Sequence, residues 1–140
     1  MLSPSTLDPA DLAAAARAAE AEALTAAGTF GAVLRASPEF SALLAAENAL
    51  SVDVEANAAI EAFGARQAQL RPEIAMRVLD EAQRAELERL QKAMLAVPSV
   101  ATYVAATAAF QAVCRETASV VTAQIGIDFA ANCRSGGCCG

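Results

Sequence analysis

The amino-acid sequence predicts an all-α protein of long antiparallel helical hairpins or a bundle, and three observations lead to this fold class. The hydrophobic fraction is 56%, and much of it is alanine, the strongest helix former. Proline and capping residues divide the chain into segments in which apolar residues follow helical spacing. No stretch alternates polar and apolar residues for long, and no Asn-Gly or Asp-Gly pair marks a β-hairpin.

The first half of the chain contains three helix-start signals. Asp8 followed by Pro9 combines an N-cap oxygen with a residue suited to the first helical position, which predicts a helix from about 9 to 36. Residues 37–40 (Ser-Pro-Glu-Phe) repeat this signal, and leucines in helical spacing follow them. Asp53 provides a further N-cap, so we expect a third helix after it.

Two prolines divide the second half. The residue before Pro72 avoids the helical region, and a charged helix is expected from about 73 to 96. Pro98 marks the next break, and the last helix is expected from about 99 to 129. One side of that helix carries the residues Val100, Tyr103, Thr107, Phe110, Cys114, Thr117 and Val121.

The amino-acid composition also predicts self-association. Aromatic residues make up only 4% of the chain, and tryptophan is absent. A core made largely of alanine removes little apolar area from water, whereas close-packed helices can also bury their apolar stripes against a second subunit. We therefore expect a single helical domain over residues 1–129 that forms a dimer or a larger assembly.

Charge and residue usage exclude several functional classes. The net charge is −6, and the ten Lys and Arg residues are spread along the chain, which disfavours direct binding of RNA or DNA. Histidine is absent, so the usual general base, its nucleophile pairs and imidazole metal ligands are missing. We expect a protein that is not an enzyme.

The sequence predicts a cytoplasmic protein without a membrane span. Acidic residues such as Asp11 and Glu20 occupy the region where a signal peptide needs a basic start and an apolar run. Residues 93–114 carry no charge, and this length could cross a bilayer. Pro98 breaks the stretch and alanine dilutes it, so we interpret it as a buried helix in a bundle.

The chain ends in a Cys/Gly-rich tail, residues 130–140, which is not expected to be helical. It holds three of the four cysteines, namely Cys133, Cys138 and Cys139. Nothing directs the chain to an oxidising compartment, so a disulfide framework is disfavoured. Thiolates among glycines favour an iron–sulfur cluster or, alternatively, zinc. A redox-sensitive end without metal is an equal alternative.

The fourth cysteine, Cys114, lies inside the last predicted helix. It is either a further metal ligand or a small buried hydrophobic residue, which is a common role for a free cysteine. A fourth ligand from another subunit or a partner protein is equally consistent with the spacing of the tail cysteines.

Three segments in this order, together with the cysteine-rich end, resemble the YlbF/YmcA family of small bacterial regulators. The segments are residues 36–40 (Ala-Ser-Pro-Glu-Phe), 44–47 (Leu-Ala-Ala-Glu) and 80–83 (Asp-Glu-Ala-Gln). The resemblance implies long antiparallel helices that associate as dimers or larger assemblies. It also implies an adaptor that joins family paralogues and other proteins and influences ribonuclease Y-dependent mRNA processing, competence, sporulation and biofilm formation.

Some members of that family carry a cysteine-ligated 4Fe-4S cluster. For this chain, the resemblance implies that Cys133, Cys138 and Cys139 help to hold such a cluster, with Cys114 as an additional candidate ligand.

Two hypotheses about function follow, from different classes. The first is a regulatory adaptor that acts through protein–protein contacts. The alternative is a structural or assembly subunit of a larger complex with no regulatory activity of its own. A thiol enzyme using Cys138 and Cys139 ranks last, because only Arg134 is close enough in sequence to lower a thiol pKa.

Overall fold

The computed structural model of the chain describes residues 8–128 and residue 131. Within this part of the chain every regular element is an α-helix, which confirms the predicted all-α class. The described residues divide into two compact units, the first ending at Ser37 and the second beginning at Pro38. The predicted single domain over residues 1–129 stays a prediction. Of the predicted tail, only Ala131 lies within the described residues.

The first unit contains one long helix, α1 (Pro9–Arg35). Its start is the predicted one, because the Asp8 carboxylate accepts a hydrogen bond from the backbone N–H of Ala10 at 2.9 Å. No residue of α1 is buried. Most of its apolar side chains, among them Leu24 and Phe30, are exposed, and Leu34 near its end is half-buried.

The second unit contains five helices, and their bounds differ from the predicted ones in two places. The helices are α2 (Pro38–Val52), α3 (Val54–Gln69), α4 (Arg71–Met76), α5 (Glu81–Ala96) and α6 (Pro98–Ile125). The starts near residues 38 and 54 and the break before residue 98 agree with the sequence analysis. The expected helix 73–96 is instead two helices, and α6 ends before residue 129.

Local backbone chemistry explains both differences. Arg77 adopts a left-handed conformation with φ of 58° and ends α4. A new helix then starts at Asp80, whose side chain accepts from the Gln83 N–H while the Gln83 side chain accepts from the Asp80 N–H, forming a capping box. At the other end, Gly126 ends α6 with φ of 73° and donates its N–H to the Thr122 carbonyl at 2.9 Å.

The second unit is a helical hairpin in which each layer is bent. Phe40 at the start of α2 lies against Phe110 of α6, with ring centroids 5.5 Å apart, while Asp53 after α2 meets Ser99 at the start of α6. Helices α2 and α6 therefore run antiparallel. Ion pairing between the end of α3 and the start of α5 gives the same direction for that pair.

The two antiparallel pairs define two arms, which meet at an elbow. One arm consists of α2 and α6, and the other consists of α3 and α5. They join at the breaks between α2 and α3 and between α5 and α6. The axes of α5 and α6 differ by 86°. The buried cluster of the hairpin lies here and contains Ala56, Val97 and Val100, with Leu50, Ala59 and Met94 packed against it. Small side chains at this point let the helix backbones approach closely.

One side of α6 forms the seam with α2, as the spacing of its apolar residues predicted. Val100 is buried, and the other residues of the predicted side are half-buried: Tyr103, Thr107, Phe110, Cys114, Thr117 and Val121. The opposite side of α6 is exposed, so the helix that we expected to be buried in a bundle is covered on one side only. A hairpin of two layers covers each helix on one side only.

Among the described helices, none is by itself long and apolar enough to cross a membrane. Helices α5 and α6 pass that test of length and composition only as a pair, across their 86° bend.

Candidate interaction surface

The elbow is held by one carboxylate that contacts both layers of the hairpin. Asp53 Oδ1 accepts from the backbone N–H of Ala56 at 3.0 Å and so caps α3. Asp53 Oδ2 accepts from the Ser99 hydroxyl at 2.6 Å, across 46 positions in sequence. This short hydrogen bond to an ionised group joins the two bends directly.

These contacts change the acidity of Asp53. The Ser99 hydroxyl, followed by the Ala56 N–H, holds the pKa of the Asp53 carboxyl below its usual value, while desolvation acts in the opposite direction. The carboxylate is therefore ionised at neutral pH, as both hydrogen bonds require.

A second polar side chain completes the connection between α2 and α3. The Asn57 side-chain amide donates to the backbone carbonyls of Leu50, Ser51 and Asp53, at 3.3, 3.3 and 2.8 Å. The last carbonyls of a helix have no partner inside that helix. The Asn57 side chain supplies a hydrogen-bond donor to these carbonyls from the next helix. The turn between α2 and α3 is therefore stabilised by specific side-chain contacts.

At the far end of the α3/α5 arm, an ion pair joins the two helices. Arg66 donates to Glu86 Oε2 through Nε at 2.9 Å and approaches the same oxygen through Nη2 at 2.7 Å. Both side chains are partly exposed. The pair therefore fixes the register of α3 against α5 more than it adds stability.

The outer faces of α5 and α6 differ sharply in charge. The exposed positions of α5 include charged residues on successive turns, namely Glu81, Arg84, Glu88, Arg89 and Lys92. The exposed positions of α6 between residues 101 and 112 carry no charge and are Ala101, Thr102, Val104, Ala105, Ala108, Ala109, Gln111 and Ala112. We call this second set the α6 outer face.

The α6 outer face has the character of a protein contact surface. Val104 near its centre is 48% exposed, and the alanines around it leave the helix backbone accessible to a close neighbour. Charged residues are depleted at the centres of protein interfaces, so the uncharged α6 outer face is a better candidate for a contact surface than the charged face of α5.

Further apolar side chains are exposed at the elbow and beside α4. Val52 and Val54, which flank Asp53, are 78% and 83% exposed. Met76, the last residue of α4, and Val78, in the connection from α4 to α5, are also exposed. The second unit thus presents apolar side chains at its corners as well as along α6.

The predicted metal-ligand set is only partly visible. Cys133, Cys138 and Cys139 lie outside the described residues. Cys114 is half-buried on the seam side of α6, which agrees with the alternative of a small packed side chain. Among the residues that the structure describes, no three His, Cys, Asp or Glu side chains are grouped so that they could hold a metal ion.

Two contacts of this site were not found by sequence reasoning. Asp53 was predicted as a cap, but its partner Ser99 is too distant in sequence to leave a local signal. Arg66 and Glu86 likewise lie on different helices. The uncharged run of residues 93–114 was the one sequence signal for the α6 outer face, and it was interpreted as burial inside the chain.

A bent helical hairpin with an uncharged outer face on α6 defines a small all-α protein. The chain belongs to the YlbF/YmcA family, since the family model described as control of competence regulator ComK, YlbF/YmcA, matches residues 23–126. The match runs from within α1 to the end of α6, so it includes the whole hairpin and confirms the resemblance. No curated protein and no solved structure matches the chain. Membership of this family implies involvement in the regulation of competence.

Proposed function

We propose that this chain is a cytoplasmic regulatory adaptor that acts through protein–protein contacts, and that it first associates with a second copy of itself. Family membership supports a role in competence control. By resemblance, the further partners are family paralogues and a ribonuclease complex that processes mRNA. The adaptor reaches RNA through such partners, because its net charge of −6 is unsuited to direct phosphate binding.

The α6 outer face is the observation that carries this proposal. It is exposed, uncharged and lined mainly by alanine, with Val104 at its centre. Two such faces from two copies can pack at short interhelical distance, since alanine allows close approach of helix backbones. The charged outer face of α5 would remain in water in that arrangement.

Placing a charge on the α6 outer face tests the proposal. Ala105→Lys puts an ammonium at the centre of the face, and desolvating an unpaired charge costs several kcal/mol. We expect the self-association constant to fall by at least about tenfold, measured by sedimentation velocity over a range of concentrations. The matched control is Ala85→Lys on the charged outer face of α5, which should associate as the native chain does.

The two variants also separate the possible results. If Ala105→Lys associates as tightly as Ala85→Lys, the α6 outer face is not the contact surface. If the native chain is a monomer at all concentrations, self-association itself is wrong. A helical monomer for Ala105→Lys beside an oligomeric native chain supports the proposal. Co-purification of family paralogues with the native chain would extend it to an adaptor, and recovery of one fixed neighbour would favour a structural subunit.

We further propose, from the resemblance and the cysteine-rich sequence, that the tail cysteines bind a 4Fe-4S cluster, with zinc as the alternative. The described residues contribute a single thiol, Cys114, and no ligand group of their own. A bound cluster would therefore depend on Cys133, Cys138 and Cys139, together with Cys114 or another chain. When bound, it would supply redox sensitivity or a structural link.

Anaerobic purification followed by iron, sulfide and zinc analysis tests this cofactor proposal. Cys138→Ser combined with Cys139→Ser should remove the bound metal and any visible absorption, whereas Ser135→Ala in the same tail should retain them. Native protein without iron or zinc would refute cofactor binding. That result would leave the association proposal intact, because the two experiments measure different properties.

A further inference from the structure

The elbow contains two helix starts, and only one of them has a cap from its own segment. Helix α3 begins after Asp53, whose side chain caps it. Helix α6 begins after Val97, which offers no side-chain hydrogen bond, and its first residue is Pro98. The first turn of a helix has backbone N–H groups without partners and a partial positive charge. An anionic group near α6 would therefore be stabilising.

The Asp53 carboxylate reaches the start of α6 through a side chain of its first turn. Its Oδ2 atom accepts from the hydroxyl of Ser99, which lies in the first turn of α6, at 2.6 Å, while its Oδ1 atom accepts from Ala56 N–H at 3.0 Å. One carboxylate thus faces the starts of two helices that belong to different layers of the hairpin. Both hydrogen bonds and both helix dipoles favour its ionised form.

We propose that Asp53, which caps α3 and accepts from the Ser99 hydroxyl of α6, locks the two arms of the hairpin into one fixed elbow. The shared carboxylate makes the two bends interdependent, because losing its contact at one bend weakens the other. The elbow then opens as a single joint, and the direction of α6 relative to α5 follows from the state of that joint.

The packing around Asp53 supports this device. Ala56, which is fully buried, and Val97 with Val100 fill the space between the two bends. The Asn57 amide holds the three carbonyls that precede α3. The polar contacts and the buried cluster therefore lie at the same point, which is where the α5 and α6 axes turn by 86°.

Hydrogen–deuterium exchange on the full chain tests the role of the shared carboxylate. Ser99→Ala removes only the Oδ2 contact and leaves the α3 cap chemically intact. We expect exchange of the amides of residues 54–57 to rise roughly two- to tenfold, the ratio that corresponds to losing one hydrogen bond, although the substitution lies 46 positions away. In the reverse direction, Asp53→Ala should speed exchange in residues 99–102 of α6.

Two further variants make the result specific. Ser99→Thr retains a hydroxyl and should restore the native exchange of residues 54–57. Ser119→Ala, on the exposed side of the same helix, should leave that exchange unchanged. If Ser99→Ala alters only residues near 99, or if Asp53→Ala alters only α3, the two bends are independent and the proposal is wrong. Equal exchange at both bends in all variants would overturn it as well.

Discussion

Replacing Ala56 by leucine is expected to destabilise the hairpin markedly, although leucine and alanine are both good helix formers. Ala56 has 0% of its surface exposed and packs against Val97 and Val100. Three additional carbon atoms have no free space there, and overpacking of a core typically costs about 1–3 kcal/mol. Met94 at the edge of the cluster is flexible and can absorb part of the added volume. We therefore expect a loss of about 2 kcal/mol.

Thermal and urea unfolding followed by circular dichroism measure this loss. For a unit of this size, about 2 kcal/mol lowers the unfolding midpoint by roughly 8–16 °C. Ala58→Leu is the matched control, because Ala58 is on the same helix but exposed, and its effect should stay within about 0.5 kcal/mol. All samples need equal protein concentration, since association shifts the midpoint. If Ala56→Leu unfolds at the same temperature as Ala58→Leu, the elbow is not tightly packed and the reasoning fails.

Four further predictions concern the polar contacts and helix ends. A double-mutant cycle on Arg66→Ala and Glu86→Ala should give a coupling of about 0.2–1 kcal/mol that weakens in high salt. Absence of any coupling would contradict a stabilising ion pair between these two side chains. Asp80→Ala should cost about 1 kcal/mol in urea unfolding through loss of the capping box, and an unchanged midpoint would contradict that assignment. Gly126→Ala should cost about 1 kcal/mol, because φ of 73° is strained for alanine, and a stability gain would refute this. The pKa of Asp53 is lowered, so its stabilising effect should be complete above about pH 4 and lost as pH falls further; the midpoint difference between the native chain and Asp53→Asn should shrink in that acidic range, and a constant difference would exclude the linkage.

The helix starts were predictable where the signal is local. Asp8 and Asp53 each precede a helix and cap it as expected. The start of α5 was misplaced, although Asp80 and Gln83 form a capping-box pattern that marks it. The preceding helix ends at Arg77, and nothing in the sequence singles out an arginine for the left-handed conformation that glycine normally adopts.

The candidate site was less predictable than the fold, because its contacts are not local. The spacing of Val100, Phe110 and Cys114 identified the seam side of α6, but spacing does not show how many helices surround it. The sequence therefore could not distinguish a helix covered on all sides from one covered on a single side. Likewise, Asp53 and Ser99 are in contact only because the α2–α3 break lies opposite the α5–α6 break in the folded hairpin.

The small number of buried residues in the hairpin has a consequence for the order in which it unfolds. Five residues are buried among those described, and three of them, Ala56, Val97 and Val100, lie at the elbow. The other two, Ala46 in α2 and Leu70 after the end of α3, give each arm a single buried residue of its own. The remaining contacts along the arms are at most half-buried, so amide protection should decline with distance from the bend. The elbow should then be the last part of the second unit to unfold. A partner that binds the end of either arm would stabilise the helix ends there. Its binding would be detected as slower amide exchange at that end.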